Sequence, residues 1–298
     1  MVKTTHQRSG FRVELERHIR LACLMEVTAR KPGNVHPTAS FESLCYNDFV
    51  RSAELIAPAL AQTAELGVGR AILRAVTATR KTVGRNTNLG IVLLLAPLAA
   101  VPPSVSLSAG ISDVLDSLTQ DDAALAYRAI RLANPGGMGR VSDQNISGEP
   151  SGTLLQVMQL AGDRDAVAAQ YAGNFDLVLR TGVARLAETD SFAERWHETV
   201  IRLHLSMMAH SPDTLIARKR GIEEAQESAR LAQQVLDTGW PTTRTGQEKL
   251  VQLDRWLREH GNARNPGTTA DLVTASLFAA MRDRSIQPPS IDTIHADF

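Results

Sequence analysis

Four short segments of this chain set acids beside cations or amides at points where helices should begin or end. The first joins Glu26 to the turn Arg30-Lys31-Pro32-Gly33-Asn34. Glu26 falls one step beyond Phe11, Leu15, Ile19 and Ala22 on an apolar helical face. A carboxylate left unpaired on such a face is costly. Lys31, next to a helix-ending Pro-Gly, is placed to hold phosphate oxygens or, more plainly, to complement a helix C-terminus.

The second segment is Asp163-Arg164-Asp165. On a continuous helix its two acids diverge by roughly 200°, and Asp165 falls in phase with Leu154, Met158 and Ala161. An Asp–Arg salt-bridge network is the plain reading. Asp213-Thr214 followed by Arg218-Lys219 is the third, with Asp213 a natural N-cap. Asn265-Pro266-Gly267-Thr268-Thr269-Ala270-Asp271 is the fourth, a cap or a helix start that receives an anion. Each alone is explained by local structure. Together they describe an acidic lining inside a helical domain, where Mg²⁺ would bind and carry a polyphosphate, since it prefers carboxylate oxygens plus substrate phosphates.

Other signatures are absent. The sequence holds no Walker A run, no complete GxGxxG, no GxSxG elbow and no HExxH. His204 and His210 lack ligand spacing and read as packing residues.

The elements that must carry these segments are helices around one stretch, Asn86 to Val101. No charged residue lies between Arg85 and Asp113, and Leu89 to Val101 is apolar throughout. A helix apolar on every side belongs in the middle of a domain, and this one is shorter than the roughly 20 residues a bilayer requires. Asn86, Thr87 and Asn88 suit its N-cap and form a polar mouth facing the site. Helical periods also run over 11–29, 47–66, 69–83, 121–133, 153–180, 192–209, 215–238, 250–260 and 269–282. A short turn of helix is expected over 113–118, with 102–110 a loop. Residues 134–152 read as a long loop of the kind that is often functional. The expected fold is all-α, a single multi-helix bundle around a central buried apolar helix. Residues 1–10 form a flexible N-terminus, 11–284 the helical domain and 285–298 an extended tail.

Composition agrees. Of 298 residues, 43% are hydrophobic but only 4% aromatic, so the core is mostly Leu, Ala, Val and Ile, a mixture favouring helices. Lys plus Arg and Asp plus Glu balance at 32 each, which argues against a nucleic-acid or membrane-surface protein. Cys23 and Cys45 are too few for a disulfide scaffold. Met1–Gly10 lacks the apolar core of a signal peptide, and a cytoplasmic location is expected.

Read together, the segments resemble the triphosphoribosyl-dephospho-CoA synthase family. The likeness is carried by Ala29-Arg30-Lys31-Pro32-Gly33-Asn34-Val35, Asp48-Phe49 with Ser52-Ala53, and Asn86-Thr87-Asn88-Leu89-Gly90. It continues through Leu154-Leu155, Met158, Ala161-Gly162-Asp163-Arg164-Asp165, Gln170-Tyr171, Asp213-Thr214 with Arg218, and 265–272. These follow the family's order over about residues 20 to 280.

The resemblance implies an ATP- and Mg²⁺-dependent transferase that joins the triphosphoribosyl part of ATP to the ribose of dephospho-CoA and releases adenine. It assigns Asp165, Asp213 and Asp271 to Mg²⁺ binding or general-base work, with Glu26 a further candidate acid. Lys31 and Arg218 would hold phosphates, and Asn34, Asn86, Thr87, Asn88 and Asn265 would touch substrate. Partners would be small nucleotides, with a homo-oligomer left open. Named members carry Asn-Thr-His-Lys-Gly or close to it at the central-helix mouth, whereas this chain has Asn88 and Leu89 at the His and Lys positions. That departure leaves two alternatives, a related transferase with another acceptor, for example in a pterin-linked one-carbon pathway, or a non-catalytic nucleotide-binding scaffold.

Overall fold

The computed structural model describes residues 2–135, 148–189 and 191–296, with the side chains of 2–9 and 295–296 left aside. Among them the regular elements are all helices, and the only β-type pairings are the isolated bridges His36–Ala39 and Phe41–Leu44. Most of the expected loop at 134–152 lies outside the described residues. No helix of the described residues is long and apolar enough to cross a membrane.

Helix α1 (Val2–Thr28) buries Leu15, Ile19 and Ala22, and ends ahead of Gly33 at φ +74°. A side chain at Gly33 would also strike Leu257 at 2.7 Å, so the turn requires glycine twice over. The expected helix over 47–66 is two, α2 (Tyr46–Leu60) and α3 (Thr63–Leu66). Helix α4 (Val68–Thr82) follows Gly67, whose φ of +83° turns the chain.

Helix α5 (Leu89–Ala100) buries ten of its twelve residues. It packs against α2, α3 and α4 and against helices from the second half of the chain. Pro97 inside it has no N–H for the Leu93 carbonyl one turn back. The Tyr171 hydroxyl donates to that carbonyl at 2.6 Å instead, which lets a proline sit within the most buried helix.

Helix α6 (Leu107–Asp116) covers most of the turn of helix expected over 113–118 but begins earlier, within the expected loop. Its Leu107 N–H is satisfied by Asp283 Oδ2 at 2.9 Å, from the far end of the chain. In α7 (Gln120–Ala133) a Thr119/Asp122 capping box sets the start. The expected helix over 153–180 is broken into α8 (Leu154–Gln159), α9 (Ala166–Ala172) and a π-helical stretch, Leu177–Gly182, that runs into α10 (Val183–Ala187).

Helix α11 (Phe192–His210) leads to α12 (Thr214–Arg220) and α13 (Ile222–Asp237), which are divided at Gly221, φ +94°. Helix α14 (Arg244–Arg258) starts six residues before the expected Leu250 because Thr243 caps it through the Gly246 N–H. Helix α15 (Gly267–Arg282) is buried along most of its length and packs on both α1 and α5. A last short helix, α16 (Ile291–Ala296), lies where an extended tail was expected.

Candidate active site

Helix ends from both halves of the chain surround a cavity of about 1150 Å³, above the ~300–1,000 Å³ of ordinary small-molecule pockets. Its wall includes the end of α1, the mouth of α5, Tyr127, Ile130 and Arg131 of α7, the α8–α9 junction, α12 and the start of α15.

Asp271, in the first turns of α15, lines this cavity and makes no hydrogen bond to another described side chain. Burial pushes its carboxyl well above the usual carboxylate range, and the charges of Glu26, Asp213 and Asp165 push the same way. Arg218 pulls in the opposite direction. Glu26, Asp165 and Asp271 thus line one cavity and Asp213 lies near enough for its charge to bear on Asp271, although the four come from α1, α9, α12 and α15.

Glu26 also lines the cavity, held by Lys31 at 2.9 Å. Lys31 itself is fully buried, off the cavity wall, and donates to the carbonyls of Glu26 and Ala29 as well. Its expected role as a phosphate clamp is corrected on that ground. All three of its protons are turned inward.

Asp165 is not on a continuous helix with Leu154 and Met158, as its phase suggested. It is the N-cap of α9, where Oδ1 accepts from the Val167 and Ala168 N–H groups at 3.0 and 3.1 Å. Its Oδ2 accepts from Arg218 Nη1 at 2.5 Å, and both residues line the cavity. Asp213 is off the wall. It caps α12 through Leu215 and Ile216 at 2.8 and 3.0 Å, and its other oxygen takes the N–H and hydroxyl of Thr269, each at 2.8 Å. Burial nonetheless raises its pKa, against those bonds.

A magnesium site built from Asp165, Asp213 and Asp271 does not fit this arrangement. No group of three or more His, Cys, Asp or Glu side chains among the described residues is placed to hold a metal. One oxygen of each of Asp165 and Asp213 is committed to a helix cap and the other to Arg218 or to Thr269, in strong, charge-assisted interactions. Asp271 is left as the uncommitted acid of the three.

The amides expected to meet substrate all line the cavity. Asn86 Oδ1 accepts from the Leu89 N–H at 3.1 Å and so starts α5. Thr87 pairs with Ser52 at 2.5 Å, and Asn88 donates to Thr79 at 3.2 Å. Asn34 Nδ2 donates to Asn265 Oδ1 at 2.6 Å, joining the turn after α1 to the turn before α15.

Arg85 and Arg131 carried no local signal in the sequence, whereas Arg164 and Lys219 lie within segments already singled out there. Arg85, Arg131, Arg164 and Lys219 line the cavity along with Arg218. Arg85 pairs with Asp48 at 3.3 Å, and Lys219 donates to the Asn262 carbonyl at 3.1 Å. Arg164 is exposed, and its guanidinium makes no hydrogen bond or ion pair among the described residues. Such a set is suited to an anionic ligand carrying several phosphates. Only the clustering in three dimensions separates these arginines from ordinary surface ones.

Comparison with known proteins gives the same direction. The family model for ATP:dephospho-CoA triphosphoribosyl transferase (CitG) matches residues 12–289. A Pseudomonas fluorescens protein named "Probable 2-(5''-triphosphoribosyl)-3'-dephosphocoenzyme-A synthase" is 29% identical over 214 residues, 71% of this chain and 65% of its own. Its namesake from Azotobacter vinelandii is 29% identical over 154 residues, 52% of this chain and 50% of its own. The match thus spans less than two thirds of the length of either relative. A crystal structure assigned as a triphosphoribosyl-dephospho-CoA synthase from Archaeoglobus fulgidus superimposes with a TM-score of 0.59 at 23% identity. That superposition covers 78% of this chain and 98% of the other, and the two share a fold.

Proposed function

The chain belongs to the ATP:dephospho-CoA triphosphoribosyl transferase family, and on that premise we propose that it moves the triphosphoribosyl group of ATP onto a hydroxyl of dephospho-CoA, with release of adenine. The observation that carries this reading is Asp271, a carboxylate inside the cavity and uncommitted to any cap, in a wall that also holds Arg218, Lys219, Arg164 and Arg85.

In this scheme the acceptor oxygen forms a bond to C1′ of the ATP ribose as the C1′–N9 bond breaks. The bonding pair leaves on adenine, which takes up one proton from solvent, so that the proton the acceptor gives up is matched overall. The acceptor's proton passes to Asp271. A carboxylate whose pKa is raised is a better base once ionised. Positive charge develops at C1′ as in glycoside chemistry, and Glu26, held by Lys31, faces that charge from the cavity wall. The arginines and Lys219 neutralise the triphosphate.

Magnesium belongs here as the counter-ion that ATP brings on its phosphates, not as an ion caged by Asp165, Asp213 and Asp271. The substrates are small nucleotides, in keeping with a balanced overall charge and a cytoplasmic setting. Leu89, 8% exposed in the cavity wall, favours a second reading in which the fold and ATP are kept but the acceptor differs. Mass spectrometry of the product separates the two. Dephospho-CoA heavier by one triphosphoribosyl group supports the first, and unchanged dephospho-CoA with adenine released only when another hydroxyl acceptor is supplied, itself gaining that group, supports the second.

A further inference from the structure

Gly90 is the second residue of α5, and its backbone does not ask for glycine, since it lies outside the positive-φ set. Alanine there would favour the helix on its own account. The space, however, is taken. A Cβ at Gly90 would lie 2.0 Å from Asp271 Oδ2, 2.6 Å from its Cγ and 3.2 Å from its Cβ. The Asp271 carboxylate fills the volume that a methyl group would need. Both residues line the cavity, on two helices packed against each other. The first turn of α5 also leaves backbone N–H groups without intrahelical partners and presents the positive end of its dipole, which favours a carboxylate at that spot.

We propose that Gly90 is a positioning residue of this site: its missing side chain lets the Asp271 carboxylate rest against the first turn of α5 and point into the cavity. The inference rests on the reading of Asp271 as the base. It goes beyond that reading by tying the base's position to a residue that has no chemistry of its own.

The test is a kinetic cycle of Gly90→Ala, Asp271→Ala and the double variant, with a crystal structure of Gly90→Ala. Gly90→Ala is expected to lower kcat on the order of 10²-fold, the lower range for a displaced general base, with KM for ATP unchanged. In its crystal structure the Asp271 carboxylate should have left the first turn of α5. The double variant should be no slower than Asp271→Ala and should melt no lower than it, because the clash is gone, alanine favours the helix and the two effects are not additive. Wild-type kcat in Gly90→Ala, an unmoved carboxylate, or a loss that multiplies in the double variant overturns the inference. In those cases a slow Asp271→Ala leaves the base assignment standing. A fully active Asp271→Ala instead overturns the base assignment, and the proposed catalytic role of Gly90 with it.

Discussion

The Lys31 ammonium lies 2.9 Å from the Glu26 carboxylate, with the lysine side chain wholly enclosed and the glutamate 7% exposed. A turn that would read as a phosphate clamp is thus a buried strut that fixes a cavity acid. Lys31→Met should destabilise the protein by about 3–5 kcal/mol, the range for breaking a buried pair from one side, while KM for ATP stays close to wild type. Urea unfolding and steady-state kinetics separate the two outcomes. A stable variant with a greatly raised KM would return Lys31 to the phosphate site.

Asp271 should give the protein a distinct pH dependence. Its pKa is raised in the folded chain, so from about pH 4, where an unfolded aspartate loses its proton, the folded form binds the proton more tightly than the unfolded one. Stability from this group therefore falls as pH rises, until the raised pKa is passed. Activity should rise over the same span as the base ionises. Asp271→Asn is expected to raise Tm at neutral pH, flatten that slope and cut kcat by roughly 10²–10⁴-fold. Thermal melts and rate profiles across pH check both limbs.

Asp213 and Arg218 should separate structure from binding. Asp213→Ala removes a helix cap and strands the Thr269 N–H, for a cost on the order of 2–4 kcal/mol. Arg218→Ala leaves the fold nearly unchanged but takes a guanidinium from the cavity wall. It should raise KM for ATP roughly 10–100-fold, the equivalent of one charge-assisted hydrogen bond or more. Denaturant melts paired with ATP titrations would show whether the two effects divide in this way.

Tyr171 and Pro97 are coupled through the Leu93 carbonyl. Tyr171→Phe strands that carbonyl inside the core and should cost about 1–3 kcal/mol. In a Pro97→Ala background the new N–H can serve Leu93, and the same tyrosine change should cost less. Equal costs in both backgrounds would show that Tyr171 stabilises the core by packing alone.

How much of this was legible in the sequence follows from the range of each interaction. The all-helical fold and the buried Leu89–Ala100 helix could be read because apolar runs and periods are local. Asp213 as a cap was readable for the same reason, since its N–H donors lie two and three residues on. Asp165 was misplaced because apolar phase continues across a break that its own capping bonds create. The start of α6 was hidden because its partner, Asp283, lies 176 residues away. Glu26 could be seen on the apolar side of α1, but not that Lys31 was enclosed with it. Arg85, Arg131 and Arg164 were invisible as a group, because only tertiary packing brings three unrelated helix ends to one cavity.

The central claim is that this cavity breaks the bond between ribose and adenine in ATP and passes the sugar to a hydroxyl acceptor. The most direct measurement is chromatographic counting of free adenine from the full-length protein with magnesium, ATP and dephospho-CoA, beside Asp271→Asn. Adenine should accumulate one for one with triphosphoribosylated dephospho-CoA and fall to background in the variant. ATP that binds yet stays intact with dephospho-CoA and every other hydroxyl acceptor offered, or adenine release unaffected by Asp271→Asn, would contradict it.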